Sequence, residues 1–268
     1  MIESSVIVSL AVSTLVCFLI PIISFIYFAK KHKKIPKSFL VGMLIFFISQ
    51  MLIRVPILTY VLPNMMWFIK MQTNPYLYGI FLGLTAGIFE EVGRYIAFKY
   101  LLKNNHEFDD GISYGFGHGG IEAILLTGVS CLSTLIVCIM INNGTINADS
   151  SEALSLLYNQ CISLTPGLAL ASGFERISAM AIHIGLSMIV LYGVRNKKIL
   201  YLFIAILVHT LVNAPLVILP QVFGVGIVGV ESYIFICGLV LAGFAVYSKR
   251  LYKQDSLSKK IISEGEKL

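Results

Sequence analysis

Nine ionisable side chains lie inside stretches otherwise built from leucine, isoleucine, phenylalanine, alanine and glycine: Glu90, Glu91, Arg94, His118, Glu122, Glu175, Arg176, His183 and His209. A carboxylate kept ionised beside an arginine can take a proton from water, which suits Glu90 or Glu91 next to Arg94 to the part of general base. Glu122, His183 and His209 can then hold that water or stabilise an oxyanion, with Asn213 as a hydrogen-bond donor. The same residue types fit a second route. Glu122, His183 and His209 form a possible Zn²⁺ ligand set, with one position left for an activated water. No His-Glu-x-x-His run is present, so zinc is permitted by the residue types without being dictated by them. Both routes end in hydrolysis.

Spacing orders these residues. Glu90 and Arg94, His118 and Glu122, and His209 and Asn213 are each four apart, so on a helix each pair shares a face. Arg94, His118, Asn213 and Glu175 are the expected supporting residues. Glu90 with Arg94 equally fits a structural ion pair, and a histidine taken alone fits a packing role. Glu175 and Arg176 are adjacent near the outer end of their span and read as a structural pair. Arg54 reads as snorkelling or pairing near the outer surface.

The elements that must carry these residues are membrane spans. The chain has 268 residues, 57% hydrophobic and only 13% charged, about half the charged fraction of soluble domains. Mean hydropathy is +0.86. Apolar runs able to cross ~30 Å of hydrocarbon fall at roughly 5–29, 39–63, 77–102, 111–141, 172–194, 199–219 and 227–248. The expected fold is therefore all-α: a polytopic membrane bundle of about seven transmembrane helices. Residues 156–171, with Asn159 and Pro166-Gly167, read as interfacial or as a lead-in to the fifth span.

The formal net charge of +6 has a topological reading. Lys30, Lys31, Lys33, Lys34 and Lys37, then Lys99 and Lys103, then Arg195, Lys197 and Lys198, then the tail lysines and Arg250 all fall on one side if seven spans alternate. Only Lys70 lies in a loop on the other. The amino terminus is thus expected outside and the carboxyl terminus in the cytoplasm, with no nucleic-acid partner. The expected partners are membrane lipid and a membrane protein or peptide substrate. One transmembrane domain covers 1–248, with the site-bearing spans at 77–215, and a basic cytoplasmic tail covers 249–268. The first apolar run is longer than a signal-peptide core and follows no basic region, so it reads as a retained span. Cys17, Cys131, Cys138, Cys161 and Cys237 form no Cys-x-x-Cys pair and read as small hydrophobes. In the polar loop 142–155, Asn143-Gly144-Thr145 fits a glycosylation sequon.

Depth connects the elements to the chemistry. Glu91, Glu122 and His183 lie roughly eleven residues from the cytoplasmic ends of their spans, and His209 roughly ten, which at ~1.5 Å per residue is about 15–17 Å deep. Four helices of alternating direction bring two glutamates and two histidines to one level. A charge there costs about 2.5–3.5 kcal/mol on insertion scales, so a shared site is expected. Gly83 and Gly87, and Gly111, Gly115 and Gly119, allow close helix contact. The glycine-dense run 113–122 is poor in helix propensity and suggests an irregular backbone.

In order along the chain, Glu90-Glu91-x-x-Arg94, His118-x-x-x-Glu122 and His209-x-x-x-Asn213 resemble the superfamily of intramembrane CAAX prenyl proteases and bacteriocin-immunity proteins. That family has three residues between the second glutamate and the arginine where this chain has two. Glu122 stands where the prenyl proteases have histidine, a feature more like the PrsW-type membrane proteases. The run 117–123 and Glu175-Arg176-x-x-Ala-x-x-x-His183 are more similar to the YhfC branch, whose members are described as intramembrane metalloproteases. The likeness covers roughly residues 77–215. It implies an intramembrane peptidase, metal-dependent or glutamate-based. The scaffold subunit of γ-secretase is also similar, with seven spans and histidines on the fifth and sixth. That likeness leaves a non-catalytic scaffold or immunity factor as the alternative. A proton-coupled transporter is a third reading, since midplane Glu and His also serve proton relays.

Overall fold

The structure, a computed structural model, describes residues 1–31, 35–146 and 152–265, and among them there is no β-strand. Lys33, Lys34 and Lys267, together with 147–151 of the polar loop, lie outside the described residues. The helices are α1 (Ser4–Lys31), α2 (Ile35–Phe46), α3 (Met66–Gln72), α4 (Pro75–Ile96), α5 (Phe108–Glu122), α6 (Val129–Asn142), α7 (Glu152–Ser163), α8 (Pro166–Arg195), α9 (Leu200–Asn213), α10 (Pro215–Phe223) and α11 (Ile227–Gly265). Among the described residues six stretches are long and apolar enough to cross a membrane: Ser4–Lys31, Pro36–Asn64, Phe108–Asn142, Pro166–Arg195, Leu200–Phe223 and Ile227–Gln254. The chain is a multi-pass membrane protein. The expected span over 77–102 corresponds to α4, a 22-residue helix whose Glu90 and Glu91 keep it out of that apolar set.

Local sequence explains where the helices start and break. Asn74 caps α4 by accepting from the Tyr76 and Leu77 backbone N–H groups, with Pro75 in the first turn where no N–H is needed. Glu107 and Asp110 form a reciprocal capping box at the start of α5. Pro215 divides α9 from α10. It has no N–H to offer the Leu211 carbonyl, and the Tyr233 hydroxyl donates to that carbonyl instead at 2.5 Å. Several helices widen into π turns: α2 runs on through Phe47–Arg54, α4 through Ala97–Leu101, and α5 joins α6 through Ala123–Gly128. The first contains the buried Gln50 and the half-buried Arg54, and the third adjoins Glu122, the kind of polar position where such turns often occur.

Helix α8 is the hub. Of its most apolar window 67% is buried, against 17–33% for the other five stretches. Among the described residues the two larger of three apolar clusters hold the bundle. One joins α4, α5, α8 and α11 through Phe98, Tyr114, Leu186, Met188, Leu191 and Leu241. The other joins the start of α1 to α6, α7 and α8 through Val6, Leu10, Cys131, Cys138 and Ala169. Along α8, Glu175, Arg176 and His183 lie between Ala169 of the second cluster and Leu186 of the first.

The glycine-dense run does not form an irregular backbone. Residues 108–122 are a regular α-helix. Packing overrides propensity: a Cβ at Gly117 would lie 2.0 Å from the Phe39 carbonyl oxygen of α2, and one at Gly115 would lie 2.5 Å from the Ile184 Cα of α8. The missing side chains let α5 press against neighbours on two sides. Gly83 and Gly87 act likewise on α4, against Thr210, Ala214 and Ile206.

Candidate active site

Four helices deliver the buried polar groups. Glu90, Glu91 and Arg94 come from α4, His118 from α5, His183 from α8 and His209 from α9, and each is at most 5% exposed. Glu122, the last residue of α5, keeps 14% of its side chain exposed. The three imidazoles form a row, with ring centroids 4.6 Å apart for His118 and His183 and 5.7 Å for His183 and His209. Phe46 meets His118 edge-on at 5.2 Å.

The pairings differ from those suggested by spacing along single helices. Arg94 pairs with Glu91, one turn back, rather than with Glu90. The other oxygen of Glu91 lies 2.8 Å from His209 Nδ1. Glu90 points away from Arg94: Oε2 lies 2.9 Å from His118 Nε2, and Oε1 accepts from the Gln50 amide. His118 therefore meets Glu90 across helices, not Glu122 on its own. Arg94 Nη2 lies 3.1 Å from His183 Nδ1, and because a guanidinium only donates, that nitrogen must accept. The His183 ring proton then sits on Nε2, which lies 2.5 Å from Glu122 Oε2. This approach is close but not aligned as a hydrogen bond, since Glu122 Oε2 has no such partner. Arg176 bridges Glu122 Oε1, at 3.0 Å, and Glu175. Glu175 and Arg176 are thus a pair, as expected, and through Glu122 the pair is tied to the site.

A cavity of about 310 Å³ opens on this cluster. Glu90, Glu122, Glu175, His183, His209 and Asn213 all line it. Glu91, Arg94 and His118 stand behind the wall, where they hold residues that do face it. The cavity thus contains Glu122, His209 and Glu90 together. Around it four carboxylates (Glu90, Glu91, Glu122 and Glu175) face three guanidinium groups, counting Arg54 on the wall.

The residues fit a divalent cation. Glu90, His118 and His183 each offer one ligand atom, and the three atoms all lie within 4.8 Å of one another. One carboxylate with two imidazoles is a donor set that Zn²⁺ accepts, and His183 joins it once the Arg94 N–H leaves Nδ1 or the proton leaves Nε2, because only then is a ring lone pair free. Glu122 Oε2, buried with no hydrogen-bond partner, lies against Nε2 of the same His183 and stands outside that trio. This trio shares His183 with the set expected from sequence and replaces Glu122 and His209 by Glu90 and His118.

Two residues were missed or misread from sequence. Gln50, 5% exposed, donates to Glu90, and Arg54 donates to the Gln50 side-chain Oε1 at 3.1 Å. Arg54 also donates to the Leu82 carbonyl at 2.8 Å and lines the cavity, so it turns inward rather than toward the outer surface. Both lie in the π stretch Phe47–Arg54. The available signal was their spacing of four, the same as the pairs on the other spans.

Two comparisons found similar proteins. A family model described as the YhfC intramembrane metalloprotease matches residues 16–236. The uncharacterized membrane protein YhfC of Bacillus subtilis (strain 168) is 37% identical over 263 residues, covering 94% of this chain and 100% of the relative. No solved structure matches the chain.

Proposed function

Because the chain belongs to the YhfC intramembrane metalloprotease family, we propose that it hydrolyses a peptide bond of a membrane-inserted substrate at the cavity between α4, α5, α8 and α9. The observation that carries this reading is the convergence of Glu90, Glu122, His183 and His209, from four helices, on one cavity inside an apolar bundle. For the cavity to lie within the bilayer, α4 crosses it as a seventh span, with the amino terminus outside as the basic loops require.

Each residue has a part that its contacts suit. Glu90, His118 and His183 would hold a divalent cation such as Zn²⁺, which when bound polarises the scissile carbonyl and makes water a better nucleophile. Glu122 faces the cavity with one oxygen lacking a hydrogen-bond partner, so it can take the proton of the attacking water. Arg176, donating to its other oxygen, keeps it aimed. His209 has Nδ1 tied to Glu91, which leaves Nε2 for the cavity and a carboxylate to stabilise the imidazolium. It can therefore carry a proton to the leaving amine. Asn213 and Arg54 supply donors for a developing oxyanion. Glu91 and Arg94 are positioning residues: they fix His209 and His183 and touch no substrate. Gln50 holds Glu90 in the same way.

The test uses full-length protein in lipid nanodiscs, with bound metal measured alongside cleavage of reporter membrane peptides. We expect about one zinc per chain, lost in His118→Ala and His183→Ala, and cleavage that stops in Glu122→Gln while zinc is retained. Cleavage by metal-stripped protein would remove the metal role. Unimpaired cleavage by Glu122→Gln and His209→Ala would remove the enzyme reading.

A further inference from the structure

Helices α8 and α11 touch closely over only part of their length. A Cβ on Gly238 would meet the Ser178 backbone at 3.1 Å, and one on Gly185 would meet Leu241 at 2.7 Å. From Ser178 back toward the start of both helices they part, leaving a groove of about 490 Å³. Its walls are mainly apolar, with Leu168, Phe174, Val228 and Phe235 all well exposed and Val228 76% exposed. Two carboxylates interrupt them: Glu175 from α8 and Glu231 from α11.

Glu175 lines this groove and the catalytic cavity alike, so the groove leads to the site. Glu175 is partnered by Arg176. Glu231 is half-buried, and among the described residues no side chain forms a hydrogen bond or ion pair with it. A carboxylate set in apolar walls about a turn into a membrane helix is costly unless a cation meets it. Among the described residues the cation whose charge reaches Glu231 is Arg176, and its guanidinium is already paired with Glu122 and Glu175.

We propose that the groove between α8 and α11 is where the substrate docks on its way to the site, and that Glu231, aided by Glu175, selects a segment bearing a lysine or arginine on an otherwise apolar face. The apolar walls match the segment's body, the carboxylate matches its charge, and the shared Glu175 makes the path continuous with the catalytic cavity. Glu231 is a specificity-determining residue that takes no part in bond cleavage. The proposal rests on the protease reading for what happens after docking, but the docking itself does not depend on cleavage.

The experiment measures binding of three synthetic 22-residue leucine–alanine membrane peptides to the full-length protein in nanodiscs. They are identical except for a lysine, a leucine or a glutamate about one turn from one end. The lysine peptide is expected to bind about tenfold more tightly than the leucine peptide. Glu231→Gln should abolish that preference, and Glu231→Lys should turn it toward the glutamate peptide. A photo-crosslinking amino acid at Val228 should capture the lysine peptide, whereas one at Leu207, exposed on α9, should not. That second measurement stands even if a charge variant folds poorly. Equal binding of the three peptides to the unmodified protein, or a preference that survives Glu231→Gln, overturns the proposal. Selective binding without cleavage supports the groove and counts against the protease. Cleavage without charge selectivity does the reverse.

Discussion

At the scale of single residues, the site is a network in which each charged group is held by another. Glu91 sits between Arg94 and His209, His183 between Arg94 and Glu122, and Glu90 between Gln50 and His118. Such a network is also what a purely structural core would contain, and the two roles respond differently to substitution. Glu91→Gln, Glu122→Gln and His209→Ala should each abolish cleavage while the protein remains in the membrane. For residues that act as a unit, the Glu91/Glu122 double variant should be scarcely worse than either single. A structural network would instead lose about 3–5 kcal/mol for each buried charge left without its partner. Activity measured beside detergent melting temperature separates the cases, and lost activity that always tracks lost stability would favour the scaffold reading.

At the scale of elements, close helix contact and widened turns place the network. Gly42 and Gly117 let α2 and α5 touch backbone to backbone, which brings Gln50 within reach of Glu90 and Phe46 against His118. A methyl group at Gly117 would have to push the Phe39 carbonyl aside, because that carbonyl belongs to a helix backbone and not to a flexible side chain. Gly117→Ala should therefore destabilise the protein by about 1–3 kcal/mol and reduce activity through displacement of α2. Gly167→Ala, where a Cβ meets nothing within 4 Å, is the matching control and should melt like the parent. Equal melting of the two variants would reject the close-contact account. The π stretches serve the same end: Phe47–Arg54 turns both Gln50 and Arg54 inward, although a regular helix also puts residues four apart on one face.

At the scale of the whole molecule, the bundle wraps its polar layer around α8, with an apolar cluster toward each end. If α4 is a seventh span, Lys37 after α1 and Lys249 near the end of the transmembrane part of α11 face the cytoplasm together. Single cysteines at these positions, in a background without the native ones, should react with membrane-impermeant reagent only after the cells are opened. Labelling of either in intact cells would overturn the orientation, and labelling of one alone would remove a span.

The membrane class, the helical architecture and the residues worth suspecting were legible in the sequence alone. Hydrophobic run length and the rarity of buried charge are local quantities that a chain carries whatever its neighbours do. Depth counting also brought Glu91, Glu122, His183 and His209 to one level, because helical rise converts sequence position into height. Which group meets which was decided only by tertiary structure. Spacing along one helix suggested Glu90 with Arg94 and His118 with Glu122, whereas the fold pairs Arg94 with Glu91, His118 with Glu90 and His183 with Glu122. Rotation of each helix about its axis sets these contacts, and rotation follows from packing at glycines and from π turns that depend on several helices together. For the same reason the spacing of four between Gln50 and Arg54 marks a shared face on one helix, but only the packing of that helix against α4 sets Gln50 beside Glu90.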